Sequence, residues 1–344
     1  MKKIILSLSA VALMFSACQE EDKVKELSQE EARVAISETT SDIESDVIDM
    51  VESEGAMALL DMTDFFYSQN ILQFSAGEGE INAKEYLQNA RSIGQKFSVN
   101  SRLKETDPTF EEAKGVYEWD VELQDFKLTS TDVDYVEFRF PSEGSQTNNA
   151  SLFIYNLVES GDVVLELEAE LKLDGELMAS LNLNAAYAAG AEDPNKITLD
   201  LFVKPFHYSL DVDDSQAKSS SIAFEITRGD ESIAHFNVGV DFKSEMKEFP
   251  NFIEGSVGYG KMKVKGSIDV AGMEAAADDN VNDYIDMKLY HDGDFVGDLE
   301  IVFTTDGDLD VFVVYADDSS ESLVDLLQPT LDEIEAIILE LEGV

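Results

Sequence analysis

Residues Val163–Tyr187 read VVLELEAELKLDGELMASLNLNAAY, and this stretch decides the fold class. Val163, Leu165, Leu167, Ala169, Leu171 and Leu173 alternate with Glu166, Glu168, Glu170 and Lys172. A period of two places the first set on one face of a strand and the second on the other, so the strand has one dry face and one wet face. Asp174-Gly175 is favoured in a two-residue hairpin turn, where both positions take left-handed backbone. Leu177, Ala179, Leu181, Leu183, Ala185 and Tyr187 then return with the same alternation. The pattern predicts a hairpin with Leu167, Leu171, Leu181 and Leu183 in the core and Glu166, Glu168 and Asn182 outside it.

The same grammar extends on both sides. Ile197 to Val203 and Phe206 to Val212 alternate likewise, with Lys204-Pro205 between them as a turn or edge, because proline cannot donate to a ladder. Arg228-Gly229-Asp230 and His291-Asp292-Gly293-Asp294 stand where further hairpins need their turns. The copies are unevenly spaced, which argues against a solenoid of fixed period. Parity slips twice: between Leu123 and Phe126, which calls for a bulge or corner near Gln124, and around Gly258 and Gly260, where a sheet could bend sharply.

Helical spacing brackets the strands. Ser28-Gln29-Glu30-Glu31 fits a capping box, and Ile36, Ile43, Val47, Met50 and Val51 follow at helical intervals. Met57, Leu60, Asp64, Phe65 and Phe66 continue the pattern past a break at Gly55, so one kinked helix or two stacked ones occupy about 28–74. Pro329 suits a first helical turn, and Leu331, Ile334, Ile338 and Leu341 predict an amphipathic helix over about 329–342. The expected fold is α+β and predominantly antiparallel. A large curved or two-layer sheet of hairpins has its apolar face covered by helices from both termini. The expected division is 1–17 leader, 18–27 acidic tether, 28–74 helical segment and 75–344 antiparallel β domain with its terminal helix.

Composition narrows the function. With 44% apolar and 9% aromatic residues the chain can offset the entropy of folding, which excludes disorder despite its acidity. A net charge of −48 repels phosphate backbones and anionic lipid surfaces, so nucleic acid is excluded as a partner. Cys18 is the single cysteine, so no intrachain disulfide can form and the core must hold the fold.

The start of the chain carries its address. Lys2 and Lys3 precede an apolar run from Ile4 to Ala17, too short to span a bilayer, that ends Phe15-Ser16-Ala17-Cys18. This resembles the lipobox of bacterial lipoproteins, in which the cysteine is acylated and begins the mature chain. Gln19-Glu20-Glu21-Asp22 follows directly and resembles the export signal of Bacteroidota surface lipoproteins. The resemblance implies lipidation at Cys18 with chains such as palmitate, attachment to the outer membrane, display on the cell surface, and contact with the lipoprotein maturation and export machinery. Two or three acyl chains suffice for stable anchoring.

Signals for chemistry are sparse. Cys18 is reserved for lipid, His207 and His235 fall on the polar parity of their strands, and His291 precedes a turn. Zinc spacing, Gly-x-Ser-x-Gly and phosphate-binding glycine loops are missing, so no cofactor is expected. With 72 Asp and Glu residues, some pair always lies close, which empties carboxylate pairing of meaning. Asp306, Asp308 and Asp310 form a weak calcium candidate, because Val311 stands where an EF-hand loop needs glycine. The expected role is non-enzymatic binding or structure, with an apolar ligand as one option. In architecture only, the chain resembles half-barrel lipoprotein carriers. Alternatives are a surface polysaccharide-acting enzyme using paired carboxylates, or an accessory subunit of an uptake or adhesion complex.

Overall fold

The computed structural model describes residues 25–69, 109–160, 163–191, 193–276, 280–303 and 309–328. They are mostly β-strand, in one large and mostly antiparallel sheet with a few helices. Helices α1 (Gln29–Val51), α2 (Glu54–Ser68) and α3 (Phe110–Ala113) come first. Strands β1 (Gly115–Asp120), β2 (Asp125–Ser130), β3 (Val136–Phe140), β4 (Ala150–Ser160), β5 (Val163–Leu173), β6 (Glu176–Tyr187), β7 (Pro194–Val203) and β8 (Phe206–Asp213) follow. The remainder is β9 (Ser219–Arg228), β10 (Glu231–Phe242), β11 (Pro250–Tyr259), β12 (Met262–Ile268), a short helix α4 (Val270–Ala275), β13 (Ile285–His291), β14 (Asp294–Phe303), β15 (Leu309–Val314) and β16 (Ser320–Ser322). Two compact units divide the chain: Val51–Tyr208, and Met1–Met50 with Ser209–Val344.

In the unit Val51–Tyr208 the quoted hairpin forms as read. Leu173 faces Glu176, and Asp174 and Gly175 take φ of 51° and 83°, the mirror-image turn that suits the strand twist. Leu157, Leu167, Leu183 and Leu199 stand opposite one another across β4 to β7, all half-buried. Of the four leucines expected in the core, Leu171 is buried and Leu167, Leu181 and Leu183 are half-buried, while Glu166, Glu168 and Asn182 are exposed. A bulge beside the turn makes Met178 the extra residue of β6 and buries it, which alternation alone does not reveal. At the other end of this unit, β1 pairs antiparallel with β2 and parallel with β3, because residues 131–135 pass round the start of β1 to its free side.

Over these strands α2 packs Phe66 and Ala58 against Trp119, Phe126, Phe138 and Phe140. The Phe66 and Phe140 rings lie 5.0 Å apart, and Phe65 meets Trp119 edge-on at 5.1 Å. The helix break falls at Glu52-Ser53 and not at Gly55, since the Ser53 hydroxyl accepts from the Ala56 amide at 3.2 Å and starts a new helix. Gly55 serves close approach instead: its N–H donates to the Lys204 carbonyl at 3.0 Å. That contact sets the rotation of α2, leaving Met57 and Leu60 exposed where helical spacing alone places them inward.

In the unit Met1–Met50 with Ser209–Val344 the strands run in sequence order as an antiparallel meander. The capping box is present: the Glu31 carboxylate accepts from the Ser28 amide at 2.9 Å. Buried Ala32, Ala35 and Ile36 of α1 pack with Val264, Met287, Leu289, Val296 and Val313. Leu27 donates to the Phe295 carbonyl at 2.9 Å, and Phe295 donates to Lys25 at 2.8 Å, which joins residues 25–27 to β14. Gly260-Lys261 is a turn between Tyr259 and Met262, so the second parity slip is a hairpin and not a bent strand. Residues 323–328 are helical, with the Ser322 hydroxyl accepting from the Asp325 amide at 3.1 Å; the helix expected over 329–342 lies outside the described residues.

Candidate functional site

Most sequence-predicted site residues, namely Cys18, Gln19, Glu20, Glu21, Asp22, Asp306 and Asp308, lie outside the described residues. Asp310 is described, and its Oδ1 is engaged within the fold, accepting from the Val311 amide at 2.8 Å and the Ser322 hydroxyl at 3.0 Å. Among the described residues no three His, Cys, Asp or Glu side chains converge to hold a metal ion, and no helix is long and apolar enough to cross a membrane.

The histidines are dispersed. His207 Nε2 stands 3.0 Å from Asp200 Oδ1 on an exposed face. His235 on β10 departs from a simple wet-face residue: its ring lies over Gly258 on the neighbouring strand, and its Nε2 is buried with no hydrogen-bond partner. Ser256 Oγ, on the same face, is also buried and unpartnered. The two orphans therefore do not bond each other, and Glu225 beyond His235 accepts from Ser232 at 2.8 Å. This is not the hydrogen-bonded relay that a serine nucleophile needs. Arg228, at the turn between β9 and β10, is held by Asp46 and Asp49, at 3.2 and 3.0 Å.

Polar side chains of β1 and of β3 to β5 form a self-satisfied cluster. Arg139 bonds both carboxylate oxygens of Glu137, at 2.6 and 3.0 Å, and Glu118 at 3.0 Å. Phe153 and Tyr155 stack at 5.7 Å, but Lys172 lies 4.8 Å above the Phe153 ring and also pairs with Glu170. Cation and ring answer each other, leaving little for a ligand.

A groove of about 900 Å³ in the unit Val51–Tyr208 is different. Its floor is Phe65 and Trp119, and its rim carries Asp61, Asp64, Glu122 and Glu143. Asp61, Asp64 and Phe65 share one side of α2 through their three- and four-residue spacing. Glu122 comes from the turn after β1, where the Asp120 carboxylate accepts from the Glu122 and Leu123 amides at 2.9 and 3.1 Å and Gln124 takes a left-handed φ of 49°. Glu143 comes from the loop after β3, pinned where Asn149 accepts from the Ser142 amide at 3.0 Å and Asn148 donates to the Trp119 carbonyl at 3.0 Å. None of the four carboxylates has an ion-pair or side-chain hydrogen-bond partner among the described residues. Period-two alternation places Trp119 on the inward face of β1, whereas nothing local gathers the carboxylates around it, because acids are everywhere in this sequence.

No protein-family model matches the chain, and no curated protein and no solved structure is matched by it.

Proposed function

We propose that the chain is a lipid-anchored lipoprotein of the outer membrane, displayed on the cell surface, with a non-enzymatic binding role. The observation that carries this reading is the sequence Phe15-Ser16-Ala17-Cys18 behind a short apolar run, followed at once by Gln19-Glu20-Glu21-Asp22. Cys18 supplies the thiol for acylation, and the acidic residues after it supply the export signal. The groove beside Trp119 supports binding over a purely structural role, because concave sites with an apolar floor and a few polar groups are where ligands seat. In the same reading α1 and the helix expected over 329–342 cover the apolar face of a curved sheet. The packing of Ala32, Ala35 and Ile36 against Met287 and Leu289 supports the first of these covers.

Metabolic labelling with an alkyne analogue of palmitate tests the anchor: label enters the native chain and is lost in Cys18→Ala. Label that persists in that variant refutes lipidation at this residue. On whole cells, replacing Glu20, Glu21 and Asp22 with alanine lowers cleavage by added protease; unchanged cleavage reduces those acids to a solvated tether.

A further inference from the structure

We propose that the groove floored by Phe65 and Trp119 docks a peptide segment of a partner protein that presents arginine or lysine side chains at intervals, with an apolar residue between them. The inference rests on the binding role above and adds the chemistry of the partner. Three observations lead to it. The rim holds Asp61, Asp64, Glu122 and Glu143, none of them ion-paired among the described residues. Unpaired carboxylates over an apolar floor attract a cation more strongly than the same groups in open water.

The second observation is their dispersion. No three of them converge closely enough to hold one metal ion, so they suit several separate cationic heads around a groove of about 900 Å³. Long basic side chains lay their methylene stems on apolar surface and carry their charge to its edge, and the guanidinium fork matches a carboxylate in two bonds. The third is the lip, where Val121 is 68% exposed, a seat for the apolar residue of the segment. A saccharide fits less well. Trp119 is only 8% exposed and is packed edge-on by Phe65 and Phe126, at 5.1 and 5.3 Å, so no open ring face is offered to a sugar.

Trp119 is the single tryptophan of the chain, so its fluorescence reports this groove directly. The full chain, held in a nonionic detergent, is titrated with a blocked peptide alternating arginine and leucine. A saturable change in emission is expected, weakened at least tenfold when Asp61→Asn, Asp64→Asn, Glu122→Gln and Glu143→Gln are combined. The field of so acidic a protein could attract any polycation, so a second variant removes four charges elsewhere: Asp230→Asn, Glu231→Gln, Asp292→Asn and Asp294→Asn. That variant retains at least half of the native affinity if the groove is the site. Equal weakening in both variants, an unsaturable response, or the same signal from a neutral oligosaccharide overturns the proposal. If the groove variant loses its fold by circular dichroism, Glu122→Gln with Glu143→Gln on the two loops alone decides, with a weakening of at least threefold expected. The anchor is judged separately by acyl labelling, so failure here leaves that reading standing, and failure there leaves this one.

Discussion

The Tyr259 hydroxyl donates to Asp46 Oδ2 at 2.7 Å and ties β11 to the last turns of α1. Arg228 pairs with the same carboxylate and with Asp49, so one tyrosine, one arginine and two aspartates form a knot at that end of the helix. A matching knot holds the other end, where Glu321 accepts from Tyr315 at 3.0 Å and pairs with Arg33. Burial and the facing Asp46 carboxylate push the Tyr259 hydroxyl far above its ordinary range, so it stays a donor at every physiological pH. Removing it in Tyr259→Phe is expected to cost about 1.5–3 kcal/mol, the usual worth of a hydrogen bond to a charged acceptor. Urea unfolding measures this; an unchanged midpoint would mean that the apolar stripe of Ala32, Ala35 and Ile36 holds α1 without help.

At the start of α1 the same logic predicts a pH dependence. The Ser28 amide, then the Lys25 ammonium, bring the Glu31 carboxyl from 4.5 down to about 2. A carboxyl lowered on folding stabilises above its unfolded pKa and loses that contribution as pH falls through its folded one, so the capping box fails between pH 4.5 and about 2. Titration followed by NMR should place the Glu31 midpoint near the lower value. Ser28→Ala keeps the backbone amide and raises the midpoint only in part, whereas Ser28→Pro removes that amide and raises it further. Equal effects from the two changes would show that the hydroxyl, not the amide, governs the shift.

How much of this was legible in the sequence depends on whether the signal was local. The hairpin at Asp174-Gly175, the turn at Gly229-Asp230 and the Ser28–Glu31 cap are written in neighbouring residues, and each appears where the sequence put it. What depends on distant neighbours was not readable. The rotation of α2 is set by Gly55 against Lys204, and the bulge at Met178 by its pairing with β5. The groove joins α2 to two loops far along the chain, so periodicity found its tryptophan but could not gather Asp61, Glu122 and Glu143 round it.

Gly55 yields a prediction against helix propensity. Alanine is preferred to glycine within a helix by about 0.5–1 kcal/mol. A Cβ at this position, however, would come within 2.6 Å of the Met178 carbonyl and 2.4 Å of the Lys204 amide, both backbone atoms that cannot swing aside. Gly55→Ala is therefore expected to destabilise by about 1–3 kcal/mol, the range for overpacking. Calorimetry provides the check, and a gain in melting temperature would show that α2 can lift from the sheet freely.

His235 carries the last prediction. Its ring is half-buried over Gly258, with Glu225 on β9 to one side and Lys263 on β12 to the other, and Lys265 next to Lys263 on the same face. Burial first, and the Lys263 ammonium second, disfavour the imidazolium; Glu225 favours it but does not prevail, so the pKa lies below 6.5. The unfolded chain then takes up this proton at a higher pH than the folded one. Stability is full above pH 6.5 and declines as pH falls from there through the folded pKa. Replacing Lys263 with methionine removes the repulsion and should raise the His235 midpoint in an NMR titration, and Glu225→Gln should lower it. His235→Gln should flatten the slope of stability against pH below 6.5 while leaving the neutral-pH value little changed. A His235 midpoint unchanged in Lys263→Met would mean that the ammonium points away from the ring and that burial alone accounts for the shift.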